Sequence, residues 1–201
     1  MFNLIRRDLI LQKKQLLFFI PIVLLFIITD KHPAFIYIVA SFFIPFNTYA
    51  YDEKVQTNIL LNSLPYTRNE IISARYVGAV LYMALSIALT SLLLFILDTP
   101  FTLNDIAIGS SLFLLFASFT FPLFYILKPG YIFTTVLISF LLLAAVGPKF
   151  VLFLAEHLTA LTNFITSLSE IALYIGAGVV TVALYSMSWG ISSIIYQRKA
   201  F

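Results

Sequence analysis

The sequence predicts an all-α membrane protein with six transmembrane helices, an N-terminal interfacial helix and a short cytoplasmic helix between the second and third spans. Three observations predict it. Hydrophobic residues make up 61% of the 201 residues and charged residues 10%, against roughly 25% charged in an ordinary soluble domain, and the mean hydropathy is +1.02. The apolar residues gather into six runs free of charged side chains, of the order of the ~20 residues that cross a hydrocarbon core. Lys and Arg fall mostly on one side of those runs, the asymmetry that orients a membrane chain.

The first element, Met1–Lys14, sets Phe2, Ile5 and Leu9 against Arg6, Arg7, Lys13 and Lys14. That pattern predicts a helix lying on the inner leaflet with its basic face toward anionic headgroups. No small-residue cleavage site follows it, so a removable signal peptide is not expected. The six runs are Gln15–Thr29, Ala34–Tyr51, Tyr76–Leu97, Ile106–Leu127, Tyr131–Gly147 and Ile171–Tyr196. The first is short, about 22 Å as a helix, and reads either as a span with snorkelling lysines or as a re-entrant hairpin with the second. Pro21, Pro45 and Pro122 interrupt runs one, two and four and are expected to kink helices. Gly176, Gly178, Ser186, Ser188, Ser192 and Ser193 give the sixth a small-residue side suited to close packing.

Between runs two and three lies the one polar island, Tyr51–Tyr76. Asp52 and Glu53 suit the first turn of a short helix, where the helix dipole favours anions. Val55, Ile59, Leu60 and Leu64 then share one face at helical spacing, and Pro65 stops the helix. Thr67 and Glu70 form a capping-box pattern that opens the next helix. The segment reads as a docking surface for a soluble partner or as a solvated loop. On the other side of the membrane, Phe150–Leu168 carries an apolar stripe at Phe150, Leu154, Leu158, Leu161, Ile165 and Leu168. It reads as an outer-leaflet helix or hairpin, or as a continuation of the fifth span plus a loop.

With six spans both termini share a side. Ten of the 12 Lys and Arg fall there (Arg6, Arg7, Lys13, Lys14, Lys54, Arg68, Arg75, Lys128, Arg198 and Lys199), with Lys31 and Lys149 opposite. Both termini and the island are therefore expected in the cytoplasm. The chain reads as one transmembrane unit: 1–14 interfacial, 15–51 spans one and two, 52–75 cytoplasmic loop, 76–147 spans three to five, 148–170 external, 171–201 span six and tail. The formal charge of +3 reflects cytoplasmic loops, and no nucleic-acid partner is expected.

The chemistry of an enzyme is missing from the sequence. There is no cysteine, which excludes disulfides and thiolate metal sites. No GxxxxGK[ST] phosphate loop, HExxH or GxSxG occurs, so catalytic, cofactor and metal residues are expected to be none. His32 and His157 lie at external membrane edges, where a lone histidine is a loop residue rather than a ligand. The apolar runs hold no ionisable side chain of the kind proton-coupled carriers place there. Any energy source is expected to lie in another chain.

The residues resemble the type-2 ABC-transporter permease family, and more closely its small permeases. In those, the second loop carries an acidic pair, then LP-x-[ST]-R, an Ile/Val-rich stretch and A-[KR]-Y. This chain has Asp52-Glu53, Leu64-Pro65-Tyr66-Thr67-Arg68, Ile71-Ile72 and Ala74-Arg75-Tyr76. The resemblance implies a permease that pairs with a second copy, homodimeric or related, and binds a separate ABC ATPase subunit holding ATP and magnesium. It makes Glu53–Leu64 a coupling helix and Met1–Lys14 an elbow helix with Arg6 and Arg7. Asp52, Glu53, Val55, Gln56, Ile59, Leu60 and Leu64 would dock the ATPase. The brief Lys128-Pro129-Gly130 loop departs from the family in leaving little room for a second docking element. Small permeases of this kind include exporters of phenol-soluble modulins and other amphipathic peptides, which implies an amphipathic peptide or lipid-like cargo. The competing reading is a membrane adaptor that recruits a cytoplasmic partner and transports nothing.

Overall fold

Aspartate ends the first and third helices by one backbone device. Helix α1 (Phe2–Ile28) closes at Asp30 and helix α3 (Arg68–Ile96) at Asp98, with φ of 52° and 53°. A short polar side chain tolerates this left-handed region better than most. The amides that follow turn back on the last helical carbonyls: Lys31 N–H donates to Phe26 O at 3.3 Å and Thr99 N–H to Leu94 O at 2.9 Å, a Schellman closure. Pro33 then opens α2 (Pro33–Lys54) at the first helical position, where its missing N–H costs nothing. Thr102 opens α4 (Leu103–Ile126) through a capping box with Asp105.

The structure is a computed structural model and describes residues 2–54, 66–127 and 131–198. These are helical throughout apart from short connections, and include no strand. The remaining helices are α5 (Ile132–His157), α6 (Thr159–Ser167) and α7 (Glu170–Arg198). Among the described residues, four stretches are long and apolar enough to cross a membrane: Arg68–Ile96, Leu103–Ile126, Phe133–His157 and Ile171–Arg198. The other two expected spans coincide with shorter apolar stretches, Phe18–Ile28 and Pro33–Tyr49.

Three boundaries differ from the sequence reading. Helix α1 runs unbroken through Lys14, so the interfacial segment and first run form one rod about 40 Å long. Nothing before Pro21 breaks it, and Pro21 itself is accommodated. Asp52 and Glu53 lie in the last turn of α2 and do not open a separate helix. From Thr48 to Lys54 the chain has neither Gly nor Pro, so the backbone has no reason to stop at the end of the apolar run. Helix α5 continues past Gly147 and Pro148 to His157, because Phe150–Leu154 extends its apolar run. Half of the expected external segment is therefore span-like helix, and the rest is α6, packed on α5.

Helix α2 sits at the centre, against α1, α3 and α4, while α7 lies along α4 and α3. One aromatic cluster joins α2, α3, α4 and α7 through Tyr49, Tyr76, Phe113, Phe121, Tyr125, Tyr185 and Tyr196. A second joins α1, α2 and α3 at the opposite end through Phe19, Val23, Ile36, Tyr37 and Leu94. Rings meet edge-on, Phe42 to Phe116 at 4.8 Å, the geometry their quadrupoles favour. Helix α5 contributes mostly exposed apolar side chains, as does the outer face of α7.

One close helix approach rests on a glycine. A Cβ on Gly109 of α4 would stand 2.6 Å from Tyr37 Cβ and 3.3 Å from Ala34 O on α2. Gly109→Ala is expected to destabilise by about 1–3 kcal/mol, as overpacking does, read as a fall in the thermal midpoint of the detergent-solubilised chain. Gly176→Ala, with nothing within 4 Å, is expected to hold or raise the stability, by up to about 1 kcal/mol, since alanine is the better helix former.

Candidate functional site at the start of the third helix

Helix α3 begins on a capping box. Glu70 N–H donates to Thr67 Oγ1 at 3.2 Å, and Thr67 N–H donates to Glu70 Oε2 at 2.9 Å. Two free amides of the first turn are thereby satisfied, and the direction of α3 is fixed where it leaves the polar island. The next residue ties this turn to the far end of the chain. Arg68 Nη1 donates to Gln197 O at 2.6 Å, and Gln197 Nε2 donates to Asn69 Oδ1 at 2.7 Å. A cation on the last carbonyls of α7 is also favoured by the helix dipole.

Two turns further in, the bundle buries an ion pair. Arg75 Nη1 donates to Asp8 Oδ2 at 2.6 Å, with the side chains 8% and 6% exposed. Asp8 Oδ1 also accepts from Arg7 Nη2 at 2.8 Å. The Arg75 guanidinium stands 5.9 Å from the centre of the Tyr49 ring, within reach of a cation–π interaction. Deeper along the same contact, Tyr82 Oη donates to Ile5 O at 3.0 Å. A cavity of about 10 Å³ beside the pair is lined by Asp8, Thr48, Tyr49, Arg75 and Tyr82, close to the space one water occupies.

The opposite face of α3 is held by hydroxyls. Tyr76 Oη lies 2.8 Å from Ser188 Oγ and 2.7 Å from Ser192 Oγ, and Tyr185 Oη donates to Tyr76 O at 2.9 Å. Trp189 stacks on the Tyr76 ring. The first turns of α3 are thus tied to α1 on one side and to α7 on the other. The arrangement braces α3; it gathers no nucleophile with a base, and among the described residues no group of three His, Asp or Glu is placed to hold a metal.

The sequence-derived residues fall unevenly on this site. Thr67 and Glu70 form its cap, Arg7 joins its ion pair, and Arg6 is exposed. Asp52 and Glu53 lie on the last turn of α2. Val55, Gln56, Ile59, Leu60 and Leu64 lie outside the described residues, as does the Lys128–Gly130 loop. Sequence reasoning missed Asp8, the acceptor at the centre of the pair, and took Arg75 as a cytoplasmic cation and as part of the Ala74-Arg75-Tyr76 motif, not as the donor to Asp8. The available signal was Asp8 itself, the one acid before Asp30 in a segment with four cations. Of the small residues on the sixth run, Ser188 and Ser192 do pack closely, while Gly176 and Gly178 face open space. His32 lies 3.5 Å from Asp105, and His157 hydrogen-bonds Phe153 O within α5.

Long apolar helices with lipid-type outer faces and a mostly aromatic interior define a multi-pass helical membrane protein. The model of the ABC-2 family transporter proteins matches residues 3–197, and the chain belongs to that family. Searches of curated proteins and of solved structures returned no match. ABC-2 permeases are membrane transport subunits that normally work with an ATPase subunit.

Proposed function

We propose that this chain is the membrane half of an ABC exporter, driven by a separate ATPase that docks on the 52–64 segment. The observation that carries the reading is the family match across nearly the whole chain. The site supports it: the docking segment leads directly into α3, whose start is braced against α1 and α7. A push at the docking segment therefore reaches three helices at once. Six spans with both termini in the cytoplasm follow from the ten-to-two division of Lys and Arg. Two copies face each other across the pathway, and alternating access is driven by ATP and magnesium bound in the partner chain.

The cargo we propose is hydrophobic or amphipathic, a peptide or lipid-like compound leaving the cytoplasm. The six apolar runs hold no charged side chain and so offer no counter-ion for a small hydrophilic ion, whose desolvation is prohibitive. An apolar groove of about 360 Å³ between the end of α4 and the start of α5, lined by Leu123, Leu127, Ile138 and Leu142, suits an apolar face or chain. Arg6 and Arg7 lie where anionic lipid headgroups would meet α1.

Orientation tests this reading cheaply, since the chain has no native cysteine. An impermeant thiol reagent outside intact cells is expected to label Thr102→Cys and to spare Asn58→Cys. The opposite labelling contradicts the six-span, ends-inside arrangement and the docking surface with it.

A further inference from the structure

From the buried pair on α1 and α3 we infer that Asp8 and Arg75 are positioning residues forming a latch, which holds α1 on α3 in one state of the transport cycle and opens when the ATPase drives α3. This rests on the functional reading above.

Burying two ions for stability alone is a poor use of them, because a well-packed apolar pair serves as well or better. What an ion pair adds is a contact that can separate into two defined states, provided each ion keeps a partner. Both do here. Asp8 holds a second bond to Arg7, whose side chain is 26% exposed, so the carboxylate can follow α1 toward the surface with its counter-ion. Arg75 has the Tyr49 face on α2, and the small cavity beside the pair, with Thr48, Tyr49 and Tyr82 on its wall, gives a water somewhere to enter as the ions part.

The place of the pair matches this role. Arg75 lies eight residues beyond the Thr67 cap, about 12 Å along α3. A capped helix moves as a rod over that distance, so displacement of its first turn arrives at Arg75 with little loss. On its other side α3 is tied to α7 through Arg68 at an exposed site, where water can replace the bonds, and through buried neutral hydroxyls of Tyr76, Ser188 and Ser192. The tie to α1 is the buried one that carries charge, so its separation needs prepared partners, and it has them. Asp8 and Arg75 are 67 residues apart in sequence, so the pair joins parts of the chain that nothing local holds together.

The Ile5/Gly78 contact one turn further in offers a lock on the same interface. A Cβ on Gly78 would stand 3.8 Å from Ile5 Cγ1, ordinary van der Waals contact, so cysteines at the two positions lie against each other across the helix pair. The test uses the full chain with its ATPase in proteoliposomes carrying a fluorescent amphipathic helical peptide. Ile5→Cys/Gly78→Cys, oxidised, is expected to keep the ATPase bound and to lower ATP-driven peptide movement at least tenfold, with recovery on reduction. Asp8→Leu/Arg75→Met, an apolar replacement of both ions, is expected to keep the parent's thermal midpoint and to lose peptide movement at least tenfold. Full movement in the oxidised lock, or in the stable apolar double variant, shows that the contact is static and overturns the latch alone. If the unmodified chain neither binds the ATPase nor moves peptide, the functional reading fails and the latch fails with it.

Discussion

Asp8→Ala is expected to destabilise the folded chain by about 3–5 kcal/mol, the cost of breaking a buried ion pair by removing one partner. The Arg75 guanidinium, 8% exposed, would lose its Asp8 carboxylate while staying inside the bundle, and the Tyr49 ring 5.9 Å away replaces only part of that interaction. Arg75→Leu is expected to cost less, about 1.5–3 kcal/mol, the range for a hydrogen bond to a charged group. In that variant Asp8 keeps Arg7 at 2.8 Å, and the leucine restores apolar packing beside Tyr49. Thermal unfolding in detergent, followed by loss of helicity, ranks the two variants. Equal midpoints, or a lower one for Arg75→Leu, contradict the assignment of Arg7 as the second partner.

Leu60→Asp is expected to weaken ATPase binding by about 3 kcal/mol or more, roughly a hundredfold in Kd or beyond. It places an unpaired charge on the apolar stripe of Val55, Ile59, Leu60 and Leu64, the face proposed to meet the ATPase. Insertion and thermal midpoint are expected to stay near those of the parent chain, because the island lies outside the apolar runs. Thr67→Ala provides the scale: it removes one cap bond, present at 3.2 Å, and costs about 1 kcal/mol without touching the docking face. Titration of ATPase onto the solubilised chain separates the two. A parent-like Kd for Leu60→Asp places the docking surface elsewhere.

What the sequence made legible was local. Capping boxes at Thr67/Glu70 and Thr102/Asp105 need only four consecutive residues, and the first is evident from the chain alone. Apolar runs three to six were legible because a run of that length and composition has one solvent that suits it. Helix ends were harder. The left-handed stops at Asp30 and Asp98 use aspartate where glycine is the usual sign, and α2 runs on to Lys54 because a polar residue does not by itself stop a helix. Long-range pairing was not legible at all. Nothing near Asp8 names Arg75, and nothing in the small-residue pattern of the last helix distinguishes Ser188 and Ser192, which meet Tyr76, from Gly176 and Gly178, which meet nothing. Residues 55–64, proposed to dock the ATPase, were legible as an amphipathic stripe and lie outside the described residues.

The central claim is that a separate ATPase drives cargo through this chain. Proteoliposomes holding the chain and its ATPase test it most directly, loaded alternately with a fluorescent amphipathic peptide, a labelled sugar and an inorganic ion. The account predicts ATP-dependent movement of the peptide, abolished by a hydrolysis-dead ATPase, and no movement of sugar or ion. Efficient sugar or ion movement with inert peptide contradicts the cargo. No ATP-dependent movement of any of the three, with ATP hydrolysis indifferent to the chain, contradicts the exporter itself.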